Sequence, residues 1–261
     1  MVNKRRNELA VCGFAAVKKL EKKHNDKIQR LYFTEDVAPL FGGLCKTLAK
    51  NKKPYNKVKD PVELEKLSGT VHHQGVVAMI DYPELEQIDT DIIADWVYNE
   101  EDAILLDHIG NANNFGAIVR SAVFFGIKNI IIPMDEGQSY ITTSSYRVAE
   151  GGMEYVNIYT VQNIERLLTA VSGKMIKIGT SLKAKKEVSA IREMGPKSKL
   201  IILGNEEKGI SRGVEKLCDE LVIIPFSGMK EGFKEPFVES LNVAQASSVI
   251  FYEVLEGRKK C

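Results

Sequence analysis

Three short segments carry the side chains from which chemistry could be built. The first, NANNFGAIVRSAVFFG (111–126), follows an apolar run and places Asn114 and Arg120 in one expected helix. Asn114 suits a helix N-cap, and Gly116 permits close approach of a backbone or ligand. Arg120 and Ser121 interrupt an otherwise apolar helix. The second, LIILGNEEKG (200–209), ends an apolar strand in a tight turn with exposed amides and a carboxylate. The third, IIPFSG (223–228) followed by ESLNVAQASSVIFYE (239–253), sets Ser240, Leu241 and Asn242 at the mouth of the last helix. Amide, hydroxyl and guanidinium groups of this kind hold polar ligands by hydrogen bonding. Each also has a plain structural use. Arg120 could snorkel or pair with a carboxylate, the 200–209 turn could be an ordinary strand–helix junction, and Ser240 and Asn242 could simply cap. The turn has neither the G-x-G-x-x-G spacing nor the P-loop pattern, which argues against nicotinamide and nucleoside-triphosphate chemistry.

These segments need a scaffold that brings them to one edge. AILLD (103–107), NIIIP (129–133), NIYTV (157–161), MIKIGTS (175–181), KLIILG (199–204) and ELVIIP (220–225) read as strands. Helices are expected at Asn114–Phe125, Ser144–Glu154, Ile164–Val171, Val214–Cys218 and Asn242–Leu255. Uniformly apolar strands separated by helices predict an α/β fold, a parallel sheet covered on both faces. Ligands of such sheets bind beyond the carboxyl ends of the strands, where the three segments stand. Upstream, residues 9–80 alternate apolar runs with basic helical stretches. A strand–turn–helix start runs into AAVKKLEKK, then a strand at Gln29–Phe33, a helix at Val37–Lys50 and a buried strand at Val76–Ile80. From Asp81 to Asp102 there are nine acidic residues and no Lys or Arg, expected to be a linker leading into a solvated helix around Ile88–Tyr98.

Composition agrees with two modules. The 261 residues are 44% hydrophobic and 27% charged, which excludes disorder, collagen and coiled coil. The formal net charge of +1 hides a split: residues 1–80 carry 16 Lys/Arg against 8 Asp/Glu, whereas residues 81–261 carry 20 against 27. A basic first module is suited to a polyanion. Cys12, Cys45, Cys218 and Cys261 are scattered and read as unpaired thiols in a reducing compartment, with no zinc site implied. Leu9–Val17 after Lys4, Arg5 and Arg6 superficially resembles a signal peptide, but its charged flanks favour a strand–turn–helix start. No apolar run approaches the roughly 20 residues of a membrane span, so a cytoplasmic location is expected.

The three segments contain N-x-G-x-x-x-R, L-G-N-E-x-x-G and I-P-x-x-G…S-L-N-V in this order, each after a strand. Over residues 103–256 they resemble the signature motifs of the SpoU (TrmH-like) RNA ribose methyltransferases of the SPOUT superfamily. VCGFAAVKKL (11–20) and LSGTVHHQGVVAMI (67–80) look like the start and end of the substrate-binding domain often placed before that catalytic domain. The resemblance implies a basic α/β RNA substrate-binding domain (1–80), an acidic linker or helix (81–102) and a SPOUT methyltransferase domain (103–261) with a C-terminal deep trefoil knot. It implies methyl transfer from S-adenosylmethionine to the ribose 2′-hydroxyl of one nucleotide in structured RNA, ribosomal RNA favoured over transfer RNA, and a homodimer without metal or membrane. Leu203, Gly204, Asn205, Gly209, Ile224, Phe226, Ser240, Leu241 and Asn242 would line the cofactor. Arg120 matches the catalytic arginine, with Asn114, Glu206, Ser240 and Asn242 as its polar companions. A guanidinium keeps its proton, so Arg120 is expected to grip phosphate and stabilise a developing alkoxide rather than act as base. Lys18, Lys19, Lys22, Lys23, Lys52 and Lys53 are candidates for positioning RNA, each with a solvated helix face as the alternative. Val249, Ile250 and Phe251 on the closing helix suit the dimer interface.

Two features depart from the pattern. MKEGFKEPFVE (229–239) lengthens the usual spacing before Ser240, and its Phe233, Phe237, Lys230 and Lys234 suit either an RNA-stacking lid or a distorted pocket. Glu150 stands where a small polar residue is more usual. An RNA-binding or ribosome-assembly factor without methyl transfer, and a base methyltransferase on a similar fold, are the competing expectations.

Overall fold

The computed structural model describes residues 2–3, 7–135, 137–205, 207–226 and 240–259. In chain order the first elements are β1 (Val2–Asn3), β2 (Glu8–Cys12), α1 (Phe14–His24), β3 (Ile28–Phe33), α2 (Gly42–Lys50), β4 (Tyr55–Lys57), α3 (Val62–Ser68) and β5 (Val76–Asp81). Their strands form one sheet in the order β1-β2-β5-β3-β4, antiparallel except for the β3–β4 pair. Ala10, Cys12, Val77 and Met79 pack with Val58 and Leu64 as a core on one face of β2 and β5, whose Leu9–Cys12 and Val76–Ile80 are apolar throughout. Burial pushes the Cys12 thiol up to about 11, so it behaves as a small hydrophobe.

The chain continues through β6 (Glu86–Gln87), α4 (Thr90–Tyr98), β7 (Ala103–Asp107), α5 (Ala112–Phe124), β8 (Asn129–Pro133), α6 (Thr143–Val148), β9 (Asn157–Val161) and α7 (Ile164–Ala170). It ends with β10 (Ile176–Thr180), β11 (Lys186–Glu187), β12 (Lys199–Gly204), α8 (Arg212–Glu215), β13 (Glu220–Ile223) and α9 (Val243–Lys259). The second sheet has eight strands in the order β11-β13-β10-β12-β7-β8-β9-β6, every pair parallel. The expected α/β class and its flanking helices are present. The central strands β7, β8 and β12 are buried at every position, as strands covered on both sides must be. Leu105, Ile131, Leu200 and Ile202 form one core with Ile93, Trp96, Leu167 and Leu168.

By contacts the chain divides into Met1–Glu84 with Tyr140–Tyr155, and Leu85–Ser139 with Val156–Cys261. The acidic stretch is therefore not a plain linker. Its β6 pairs with β9, and Ile93 and Trp96 of α4 are buried while its carboxylates stay in water. Alternating apolar and acidic residues at helical spacing allow both at once. Asp89 caps α4 by accepting from the Asp91 and Ile92 amides. A helix expected over Ser144–Glu154 stops at Val148 and resumes as a 3-10 turn at Gly152–Tyr155. Glu150 and Gly151 between them are left-handed, with φ of 47° and 87°. Gly151 also lies against α1: a Cβ there would meet Lys19 Cγ at 2.4 Å and Cβ at 2.7 Å. The helix expected over Val37–Lys50 likewise opens as a 3-10 turn, Ala38–Phe41, with Pro39 in its first turn, before α2 begins.

Candidate active site

The site is built at the carboxyl ends of β7 and β12. Asp107 closes β7 fully buried, and its two oxygens are both used. One accepts from Nδ1 of His108 at 2.5 Å, the other from the Ser211 amide at 2.7 Å. That second bond ties the segment after β12 to the end of β7. His108 itself is left-handed, φ 61°, and exposed, and its carbonyl accepts from Asn205 Nδ2 at 3.1 Å. A β-carbon in that region costs about 1 kcal/mol or more unless the surroundings hold it, as two hydrogen bonds do here.

Asn111 caps α5, not Asn114 as expected. Its Oδ1 accepts from the amides of Asn113 (2.8 Å) and Asn114 (3.4 Å), worth about 1 kcal/mol to the helix. Both asparagines suit a cap, and the helix starts one turn earlier because Ala112 and Asn113 continue it. Asn114 is thereby released to face another segment. Its Oδ1 accepts from Asn242 Nδ2 at 3.1 Å across 128 residues of sequence. Asn242 also accepts the Ala244 amide at 2.9 Å, so capping and bridging are performed together. Arg120 is exposed about 9 Å further along α5. The small residues of α9 seat it against α5: Ser121 and Ser248 hydroxyls meet at 2.8 Å, and Ser247 is buried on the Ala244 carbonyl. Arg258 on Asp102 (2.9 Å) and Arg192 on Glu253 hold the far end of α9.

The turn after β12 differs from expectation. The backbones of Asn205 and Gly209 bond each other, Asn205 N to Gly209 O at 3.1 Å and Gly209 N to Asn205 O at 2.8 Å. Asn205 Oδ1 takes the amides of Glu207 and Lys208 at 3.0 and 3.1 Å. Four amides expected to be open to a ligand are thus satisfied inside the turn. Gly204 makes this closure possible, since a Cβ there would stand 2.2 Å from Ile210 N and 2.3 Å from Gly209 C. Leu203 is buried, so its side chain belongs to the core and only its backbone reaches the edge. Ile224 is partly buried, and Ser240 and Asn242 are exposed. Phe226 and Leu241 are each 48% exposed, which leaves apolar surface on both sides of residues 227–239. Exposed apolar walls beside a hydroxyl and a carboxamide fit a flat heteroaromatic ring carrying a sugar. Glu206, Ser227–Glu239 and Cys261 lie outside the described residues, and with them the expected carboxylate and the 229–239 loop.

Of the expected dimer residues, Ile250 and Phe251 are buried against their own chain and Val249 is half-buried. The exposed aromatics of this layer are Phe124 and Tyr252, both packed edge-on against Phe125. Helical periodicity told that α9 was apolar on one side, but not which layer that side met.

The lysines divide. Lys18 pairs with Glu21 at 2.8 Å and lies 4.4 Å from the Phe41 ring. Lys19 and Lys23 stand over the Tyr155 ring, at 5.8 and 4.9 Å. Lys53 donates to the Asp26 carbonyl at 2.6 Å. Lys22 and Lys52 are exposed, as Lys19 and Lys23 also are, but among the described residues stand over no aromatic ring. Near α1 the sequence reading missed a buried carboxylate, Glu154. Desolvation lifts its pKa to about 7, against Lys27 and the Tyr146 hydroxyl, which favour the ionised form. Among the described residues its Oε1 has no hydrogen-bond partner, and His24 Nε2 is 3.9 Å from its other oxygen.

Comparison with known proteins agrees with this layout. The sequence model of the SpoU rRNA Methylase family matches residues 102–252, and that for RNA 2′-O ribose methyltransferase substrate binding matches residues 10–85. A 23S rRNA (guanosine-2′-O-)-methyltransferase RlmB of Acinetobacter baylyi is 32% identical over 199 residues, 75% of each chain. An uncharacterized tRNA/rRNA methyltransferase of Haemophilus influenzae is 34% identical over 164 residues, but this chain spans only 45% of that protein. The fold is similar to that of the SpoU methyltransferase AviRb from Streptomyces viridochromogenes, solved in complex with the cofactor AdoMet. The TM-score is 0.76 at 22% identity, covering 99% of this chain and 93% of that one. With the family's model matching residues 102–252, more than half of the sequence, the chain belongs to the SpoU rRNA methylase family.

Proposed function

We propose that this protein is a cytoplasmic RNA 2′-O-ribose methyltransferase that uses S-adenosylmethionine and acts on ribosomal rather than transfer RNA. The observation that carries the reading is the Asn242–Asn114 hydrogen bond, which joins the first and third motifs. The RlmB relatives support the ribose and the ribosomal substrate. The unit starting at residue 85 is the methyltransferase domain, with the family's trefoil knot, and the basic N-terminal unit is the RNA-binding domain. Two copies pair through the exposed aromatics of α5 and α9.

The cofactor supplies an electrophilic methyl group on a sulfonium. Phe226, Leu241 and Ile224 would hold its flat ring, and the 204–209 turn and the Ser240 hydroxyl would hold its polar parts. Arg120 grips the phosphate beside the target ribose and stabilises negative charge as it grows on the 2′-oxygen. Asn114, fixed by Asn242, orients the hydroxyl. Mapping 2′-O-methyl positions in total RNA with and without the protein tests the reading. One ribosomal position that disappears with the gene supports it; an unchanged map overturns it.

A further inference from the structure

The mechanism above names a group that stabilises the ribose oxygen but none that removes its proton. Arg120 cannot, because a guanidinium stays protonated in proteins. We propose that His108, held by Asp107, is that base; the inference rests on the methyl-transfer reading above.

Three observations converge. His108 Nδ1 lies 2.5 Å from a carboxylate oxygen of Asp107. A carboxylate accepts, so Nδ1 carries the hydrogen and Nε2 presents a lone pair, the arrangement in which a buried aspartate sets the tautomer of a catalytic histidine. The Asp107 side chain is wholly buried and its second oxygen is fixed by the Ser211 amide, so the imidazole is held from behind. Among the described residues no hydrogen bond engages Nε2, and the ring is 46% exposed. Its place is also right. His108 directly precedes the segment that carries Asn111, Asn114 and Arg120, and its carbonyl is bonded to Asn205 of the second motif. The left-handed backbone of His108 is kept by these contacts and sets the direction in which the side chain leaves the strand.

The charged groups on the elements around it are Asp107 on its own strand, Arg120 on α5, and Glu207, Lys208 and Arg212 on the β12–α8 connection. Asp135 stands in the neighbouring loop, whose Gln138 side chain accepts the Ile109 amide. In the step, the ribose O–H bond breaks and its proton passes to Nε2. The electron pair left on oxygen forms the new bond to the methyl carbon, whose former bonding pair stays on the donor's sulfur. The imidazolium, stabilised by Asp107, then returns the proton to water.

The test uses the full chain with in vitro transcribed ribosomal RNA. H108N and H108G are chosen because both residues tolerate a positive φ, so the loop keeps its shape. H108N should lower kcat by about 10²-fold or more, with KM for both substrates within threefold. It should also abolish the acid limb of the kcat–pH profile. Added imidazole should restore H108G. In the substrate-free protein, nitrogen-15 spectra should show the hydrogen on Nδ1 in the wild type and lose that preference in D107N. An active wild type with H108N unchanged in rate or pH profile, or with the hydrogen on Nε2, overturns this proposal alone. A wild type inactive on every ribosomal and transfer RNA overturns the methyl-transfer reading and this proposal with it.

Discussion

The edge of the parallel sheet and the basic face of α1 were both legible as functional regions, and they are built in opposite ways. At the sheet edge the polar residues are spent on one another across the sequence: Asn114 on Asn242, Asn205 on His108, Asp107 on Ser211. On α1 and the 50–53 turn, the lysines are spent on their nearest surroundings, Glu21, the Tyr155 ring and the Asp26 carbonyl. The first arrangement fixes atoms to within a few tenths of an ångström, as reacting groups require. The second leaves charge on a surface, which suffices for phosphates that are bound by number rather than by position.

The contrast can be broken most strongly at Arg120. R120A should lower kcat by about 10³-fold and leave S-adenosylmethionine affinity within twofold, read by radiolabelled methyl transfer and calorimetry. Equal loss of both would mean that the guanidinium serves the pocket instead. Next comes the bridge itself: N242A should cost about 10–100-fold in kcat/KM with little change in the melting temperature. If the melting temperature falls and the rate does not, Asn242 is only a cap.

The site was legible where side-chain type and chain order sufficed, and illegible where partners had to be known. Asn205 stands out as a polar group just after an apolar strand and Arg120 as a charge in an otherwise apolar helix, but it is the resemblance of the three motifs together to a known family that singles them out with Asn114 and Asn242. The role of Asn111 was hidden because three asparagines in four residues compete for one cap. His108 was passed over because a lone histidine after a strand carries no pattern until its neighbour's carboxylate is seen to be buried. The parallel order of the central strands followed from their unbroken apolarity. The two-residue strands β6 and β11, and the break at Glu150–Gly151, depend on packing partners far away in sequence.

Smaller effects sharpen the comparison on the basic side. K22A and K52A should each weaken RNA binding a few-fold and reduce the slope of log affinity against log salt by about 1. K19A and K23A should leave that slope unchanged and instead lower hydrogen-exchange protection at residues 152–155. A slope that falls equally for all four would erase the division between committed and available lysines. The last effect is on the fold rather than on catalysis or RNA binding and concerns Glu154. Its pKa is raised by burial to about 7, so the proton stabilises the fold. The benefit is complete below about pH 4.5 and is lost as pH rises through about 7. E154Q should match the wild type in exchange protection of α6 at pH 4.5 and exceed it about tenfold or more at pH 8. Equal protection at both would show that the carboxyl is solvated.

Gly204 has a consequence for how this protein can change. Since even one methyl group at that position would overlap the backbone two ångströms away, randomising the codon should return glycine alone among active clones. The hairpin it closes must then be inherited whole, and any drift in ligand preference has to come from residues outside it rather than from the hairpin's own shape.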